Sequence, residues 1–231
     1  MRMIWNCRSG ARASCFVLVP PRQETDLDRN YVIERLRTRI TPIERRPADS
    51  RGDHDLNPGM APPDQKLTQA AVLVPLVDRP DGLTVLLTQR TDHLRDHAGQ
   101  VSFPGGRVEP EDPSHEAAAL REAEEEVGLP SDRVDLIGRL DLYVTRTGYE
   151  VVPIVGIVNP PFPVKADPFE VAEVFEVPLR FLADPGNHQK HSRYYKGARR
   201  SFYAMPYNGY YIWGATAGML VNLSQALETA Q

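Results

Sequence analysis

Residues Gly105 to Leu129 read GGRVEPEDPSHEAAALREAEEEVGL, a Gly- and Pro-rich loop running into a stretch loaded with carboxylates. The second half predicts a helix. Asp112-Pro113 reads as its start, because Asp suits the N-cap and Pro the first helical position. Gly128 reads as the residue that closes it, with Pro130 preventing continuation. Ala119, Ala123 and Val127 recur every fourth residue as a narrow apolar stripe with Leu120 beside it.

The opposite face carries Glu122, Glu124, Glu125 and Glu126 in the last turns. Anionic side chains are disfavoured at that end of the helix dipole, and Glu122 and Glu126 form a like-charge i, i+4 pair. A run of this kind is either a solvated acidic face or one that gathers a cation. On the second reading Glu122, Glu125 and Glu126 share a face at i, i+3 and i+4. Their hard oxygens suit Mg²⁺ or Mn²⁺. Arg121 is placed to pair with Glu125 one turn on. The Gly-rich loop directly before the helix favours the cation.

This stretch resembles the Nudix box, G-x5-E-x7-R-E-U-x-E-E-x-G-U with U apolar. Arg121-Glu122-Ala123-Glu124-Glu125-Glu126-Val127-Gly128-Leu129 matches its second half at every fixed position. The first half departs. The isolated Glu of the pattern falls on Pro113, so the loop is one residue longer, and Asp112 is either a replacement for that Glu or the helix N-cap.

Composition sets the frame. A chain of 231 residues at net charge −4 holds one sizeable domain and gives no reason to expect nucleic acid drawn by bulk charge. No apolar run approaches the roughly 18 residues of a membrane span. The two cysteines, Cys7 and Cys15, build no disulfide framework, which points to the cytoplasm. Cys15 to Val19 follows several arginines as a signal peptide would, but it is short and leads into Pro20-Pro21 without a cleavage pattern.

Along the chain, residues 26–40 predict a short helix with Leu27, Tyr31, Leu36 and Ile40 near one side. Residues 41–66 read as a loose linker rich in Pro, Asp and Arg. The division is therefore an extension over 1–66 and a main domain over 67–231, with residues 1 to about 60 expected to be dispensable for catalysis. In the main domain, residues 70–77 and 84–89 predict a hairpin about residues 78–82. Residues 134–142, 150–158 and 171–178 predict further strands, followed by a short helix over 179–182. Residues 191–195 and 200–205 predict a second hairpin, and 214–228 a last helix. The segment 90–106 reads as too polar for the core. Strands mixed with helices indicate an α/β sandwich.

A second signature adjoins the first. Leu86-Leu87-Thr88-Gln89-Arg90, then Arg95, Gly99 and Phe103-Pro104-Gly105-Gly106, resembles the pattern LLTxR…R…G…FPGG of coenzyme A pyrophosphatases. The likeness runs over about residues 66 to 225, although only the two adjoining signatures are specific. It implies a Nudix-type α/β/α sandwich with a central mixed sheet. It implies hydrolysis of coenzyme A or an acyl-coenzyme A to 3′,5′-ADP and 4′-phosphopantetheine, dependent on Mg²⁺ or Mn²⁺. Glu122, Glu125 and Glu126 would hold the metal, with Glu125 and Glu126 counted as catalytic. Glu170, or next Glu173, would be the further acid from a later loop.

Arg90, Arg95, Gly105 and Gly106 would bind substrate, since arginine forks match phosphate oxygens. Arg90 and Arg95 could instead pair with Asp92 or Asp96. Lys190, Lys196, Arg199 and Arg200 form a second basic cluster, read first as a solvated hairpin. His97 reads as structural, and His188 and His191 lack a third metal ligand. The implied partner is a small molecule, with neither nucleic acid nor membrane, and a homodimer is left open. Two other readings stay open: a hydrolase of another nucleoside diphosphate such as ADP-ribose or a dinucleotide, and a Nudix-fold module that binds a nucleotide without cleaving it. Such a module is expected to lose box carboxylates, and all three are present here.

Overall fold

The computed structural model describes residues 27–42, 50–57, 66–94, 97–195 and 197–228. Cys7, Cys15, Arg95, Asp96 and Lys196 lie outside them. In chain order the first elements are α1 (Arg29–Arg39), β1 (Ser50–Gly52), β2 (Thr68–Arg79), β3 (Gly82–Arg90), β4 (Val101–Ser102), β5 (Gly105–Arg107) and α2 (His115–Val127). Then come β6 (Val134–Arg139), β7 (Leu142–Val144), β8 (Tyr149–Val158), β9 (Val171–Pro178), α3 (Leu179–Ala183), β10 (Gln189–Tyr195), β11 (Ala198–Tyr207), β12 (Tyr210–Trp213) and α4 (Ala215–Leu227).

β2 is the spine of the main sheet. It forms the expected hairpin with β3, closing at Arg79 opposite Gly82, and runs parallel to β8 from Thr68–Tyr149 to Val77–Val158. Antiparallel pairings add β9 and β4 to β3, β5 to β2, and β6 and β7 to β8, while β1 lies parallel to β7. A mixed sheet with both faces covered needs apolar residues on both sides of its central strands. Seven of the residues from Ala70 to Val77 are buried accordingly.

One face packs on α2, where Ala118, Ala119, Ala123 and Val127 meet Leu73, Leu86 and Ile154. The other packs on α1, α3 and α4, where Val32, Leu36, Leu179, Leu220 and Leu223 meet Val74, Val85 and Val155. The result is the expected α/β/α sandwich with a central mixed sheet. A separate antiparallel sheet, β10-β11-β12, holds the second hairpin. Among the described residues no helix is long and apolar enough to cross a membrane.

Several boundaries differ from expectation for local reasons. α2 starts at His115 rather than after Asp112, because Ser114 is its N-cap and accepts from the Ala117 N–H at 3.2 Å. Asp112 is engaged elsewhere, as described below. The segment 90–106 is not wholly outside the core: Val101 and Phe103 are buried, because β4 and β5 fold back on β3 and β2. The strand expected over 134–142 divides into β6 and β7, with an irregularity in the pairing to β8 between Leu136 and Gly138. The stretch read as linker contributes β1. The helix expected over 26–40 is α1, capped by Asp28 through the Tyr31 N–H at 2.8 Å, with Val32, Leu36 and Ile40 in the main core. Removing α1 and β1 would therefore strip packed surface and a strand pairing from the sandwich.

Candidate functional site

The small residues of α2 decide where its carboxylates go. Ala119 and Ala123 are fully buried, so the helix lies close on the sheet. Its last turn closes on Gly128 in the left-handed conformation (φ 70°), with the Gly128 N–H donating to the Glu124 carbonyl and the Leu129 N–H to the Ala123 carbonyl. The loop after β8 docks on this end: Lys165 and Asp167 donate backbone N–H groups to the carbonyls of Val127 and Glu126, both at 2.9 Å. That docking carries Glu170 towards Glu126. The end of β3 fixes the arrival, since the Thr91 N–H donates to the Glu170 carbonyl at 3.0 Å and the Thr91 hydroxyl to the Phe169 carbonyl at 2.9 Å.

Glu126 is only 5% exposed. Its Oε2 accepts from the Gly105 N–H at 3.1 Å, and its Oε1 lies 3.8 Å from Arg90 Nη1. The same Arg90 nitrogen lies 3.7 Å from Glu170 Oε2. Arg90 thus sits between two carboxylates from different elements, rather than pairing with Asp92. Its Nε is buried and has no hydrogen-bond partner. Burial pushes the Glu126 carboxyl up to about 8, with Glu122 and Glu170 adding repulsion against the opposing Gly105 N–H and Arg90. Burial likewise raises Glu122, although Arg121 opposes it.

Gly105 and Gly106 shape these carboxylates. A Cβ on Gly106 would collide with the Glu122 carboxylate, and one on Gly105 (φ 151°) would strike the β2 backbone at Ala71 and Val72. The pair reads from sequence as substrate-binding.

Arg121 gathers a second group. It donates to Asp112 through Nε and Nη2, at 3.1 and 3.0 Å, and to Glu122 and Glu125 through Nη1, both at 3.0 Å. The expected Arg121–Glu125 pair is present, on a Glu125 side chain 60% exposed. Asp112 is not the N-cap. Its Oδ2 also accepts from the Glu109 N–H at 2.8 Å, and Arg121 holds its carboxyl below the usual carboxylate range. Sequence reading missed this role. The longer loop was the available signal, since it brings an acid back over Arg121.

The residues suit a hard divalent cation. Among the described residues no three His, Cys, Asp or Glu side chains converge on one point as a finished cage. A buried carboxylate, Glu126, and a partly buried one, Glu122, nonetheless have a raised affinity for protons, a cost that a cation removes. Glu125 stands on the same helix face, one turn from Glu122.

Other candidates are not brought here. Glu173 accepts from the Tyr210 hydroxyl at 2.6 Å. His97 pairs with Gln100, His188 with the Leu182 carbonyl and His191 with Tyr211. Lys190, Arg199 and Arg200 lie in the separate β10–β12 sheet, where the Lys190 amine sits 5.6 Å over the Tyr203 ring.

Residues 67–196 match the NUDIX domain. A protein of Escherichia coli (strain K12) described as an uncharacterized Nudix hydrolase, NudL, is 48% identical over 157 residues, covering 68% of this chain and 81% of the relative. Its counterpart in Shigella boydii serotype 18 gives the same figures. Among solved structures, the MutT protein from Methanosarcina mazei Go1 is 27% identical, covers 52% of this chain and 83% of its own, and superposes with a TM-score of 0.41. The chain belongs to the NUDIX domain family.

Proposed function

We propose that this chain hydrolyses the pyrophosphate of coenzyme A or an acyl-coenzyme A, releasing 3′,5′-ADP and 4′-phosphopantetheine. The observation that carries the reading is the adjacency of two signatures. The LLTQR strand end and the FPGG loop, which resemble the coenzyme A pyrophosphatase pattern, meet the acidic helix at Arg90–Glu126 and Gly105–Glu126. A NUDIX domain that keeps Glu122, Glu125 and Glu126 retains the carboxylates a hydrolase needs.

Glu122 and Glu126, with Glu125 from the same face, would hold a divalent cation. When bound, Mg²⁺ or Mn²⁺ neutralises charge on the phosphate oxygens and makes water more acidic. The chain's own groups do the rest. The Gly105 N–H fixes Glu126, and Arg121, anchored by Asp112, orients Glu122 and Glu125. Arg90, whose side chain is about a quarter exposed, would offer the solvent-facing part of its fork to the pyrophosphate oxygens. Glu170, whose carboxylate shares Arg90 with Glu126, would take the proton of the attacking water. The water oxygen bonds to phosphorus while the bond from that phosphorus to the bridging oxygen breaks, and the bridging oxygen leaves with the other phosphate.

A product assay tests this across coenzyme A, ADP-ribose, NADH and 8-oxo-dGTP, with each metal. The expected result is 3′,5′-ADP and 4′-phosphopantetheine from coenzyme A, at a kcat/KM above the other three. A higher kcat/KM on ADP-ribose or NADH would replace the substrate while keeping the chemistry. No turnover of any of them with either metal would favour a nucleotide-binding module.

A further inference from the structure

Phe169 is 64% exposed and is bonded directly to Glu170. An exposed phenylalanine on a soft loop needs no explanation, but this one is held firmly. Its N–H donates to Asp167 Oδ1 at 2.9 Å and its carbonyl accepts from the Thr91 hydroxyl at 2.9 Å. The next carbonyl accepts from the Thr91 N–H at 3.0 Å. The backbone is therefore fixed on both sides of a ring that faces water. The exposed His93 ring stands beside it, centroids 5.1 Å apart and planes inclined at 59°. Two rings at that angle form a wedge. A flat aromatic ligand can stack on one face and meet the other ring edge-on, both favoured arrangements. The wedge is joined to the phosphate-facing cluster at two points: Phe169 is one Cα step, about 3.8 Å, from Glu170, and His93 follows Arg90 by three residues.

We propose that Phe169, backed by His93, is the platform on which the nucleobase of the substrate stacks while its diphosphate lies against Arg90, Glu126 and Glu170. This rests on the nucleotide substrate proposed above and adds the residue that recognises its base. The ring supplies a π-face without hydrogen-bond readout, so it favours a purine for its larger stacking area and discriminates weakly among purines. Fixing the backbone beforehand lowers the ordering cost of binding. The phosphopantetheine half has no aromatic ring and gains nothing from the platform.

The test uses Phe169→Ala and Phe169→Trp in the full chain. Calorimetric titration with 3′,5′-ADP, ADP and 4′-phosphopantetheine is run without added metal, and inhibition constants are measured against whichever substrate is turned over. Phe169→Ala should weaken both nucleotides about five- to a hundredfold, the range for losing one base–aromatic stack. It should leave 4′-phosphopantetheine unchanged, and Phe169→Trp should restore nucleotide binding. With so exposed a side chain, the melting temperature should move little.

Unchanged nucleotide affinity in Phe169→Ala overturns the proposal. So does equal weakening of both product halves, which would mean that the ring only supports the loop, and so does wild-type protein that binds no nucleotide at millimolar concentration. The substrate reading fails separately. If coenzyme A is left intact while ADP-ribose is cleaved, the coenzyme falls, and the platform is still judged by ADP.

Discussion

The two ends of α2 each bury a glutamate, Glu116 at 6% exposure and Glu126 at 5%, and their surroundings treat them in opposite ways. Glu116 lies in the first turn, where the helix dipole favours a negative charge, and pairs closely with Arg139 from β6. Burial opposes its ionisation, but Arg139, its own backbone N–H and Ser114 together hold its carboxyl below the usual range. Glu126 lies in the last turn, where the dipole disfavours charge. Its cation, Arg90, stands off at 3.8 Å and is shared with Glu170. Equal burial therefore does not mean equal role. One carboxylate is a completed contact that ties the helix to the sheet, and the other is left with charge to be compensated. A stretch rich in acids is better sorted by how closely each acid is partnered than by how many there are.

The largest expected effect breaks this comparison through chemistry. Glu126→Gln keeps size and removes the charge proposed to hold the cation, so kcat should fall about a thousandfold or more, roughly 4 kcal/mol of barrier. Circular dichroism should remain that of the wild type. Near-wild-type turnover in saturating Mg²⁺ or Mn²⁺ would take Glu126 out of the reaction.

The second effect falls on the other end. Arg139→Ala leaves Glu116 as a buried charge without its closest cation, which typically costs about 3–5 kcal/mol. The urea midpoint should drop accordingly, while the protein that remains folded keeps its kcat. A large loss of kcat at saturating substrate with an unchanged midpoint would put Glu116 and Arg139 in the site instead.

The third sharpens the contrast through the metal. A cation that binds only the folded state adds stability by mass action, about 2.7 kcal/mol at a hundredfold excess over Kd. For a domain of this size that is a rise in Tm of about 5–10 °C. The rise should be lost in Glu126→Gln and kept in Arg139→Ala. An equal rise in both variants would place the cation elsewhere.

Much of this was legible because periodicity and helix-closing residues act locally. The Ala119–Ala123–Val127 stripe, the Gly128 stop and the β2–β3 hairpin follow from side chains a few positions apart. Glu170 was legible only as an acid before an alternating strand. What brings it to Glu126 is a loop docking on helix carbonyls, a backbone contact that carries no side-chain signal. Asp112 was misread because the same short acid serves as an N-cap or as an arginine partner. The choice rests on Ser114, two residues on, taking the cap. Arg90 could not be assigned between Asp92 and a phosphate because its neighbours Glu126 and Glu170 are distant in sequence. α1 showed its apolar side, but that Val32 and Leu36 would enter the same core as α4 depends on packing that no local pattern records.

The smallest effect concerns acid. A carboxyl whose folded pKa is depressed contributes stability that is full above its unfolded value, taken as 4.5 for Glu116, and that is lost as pH falls through the folded value. Glu116→Gln removes this titration and leaves the other acids in place. Wild type should therefore exceed Glu116→Gln in urea stability near neutrality, and the gap should narrow as pH is lowered below about 4.5, where protonation makes Glu116 resemble the amide. The comparison is between two curves measured under identical conditions, so acids common to both proteins cancel to first order. A gap that stays constant from about pH 7 to about pH 3 would mean that Glu116 contributes through shape alone. The Arg139 contact would then add no net stabilisation to the ionised carboxylate, and the two ends of α2 would differ in packing rather than in charge.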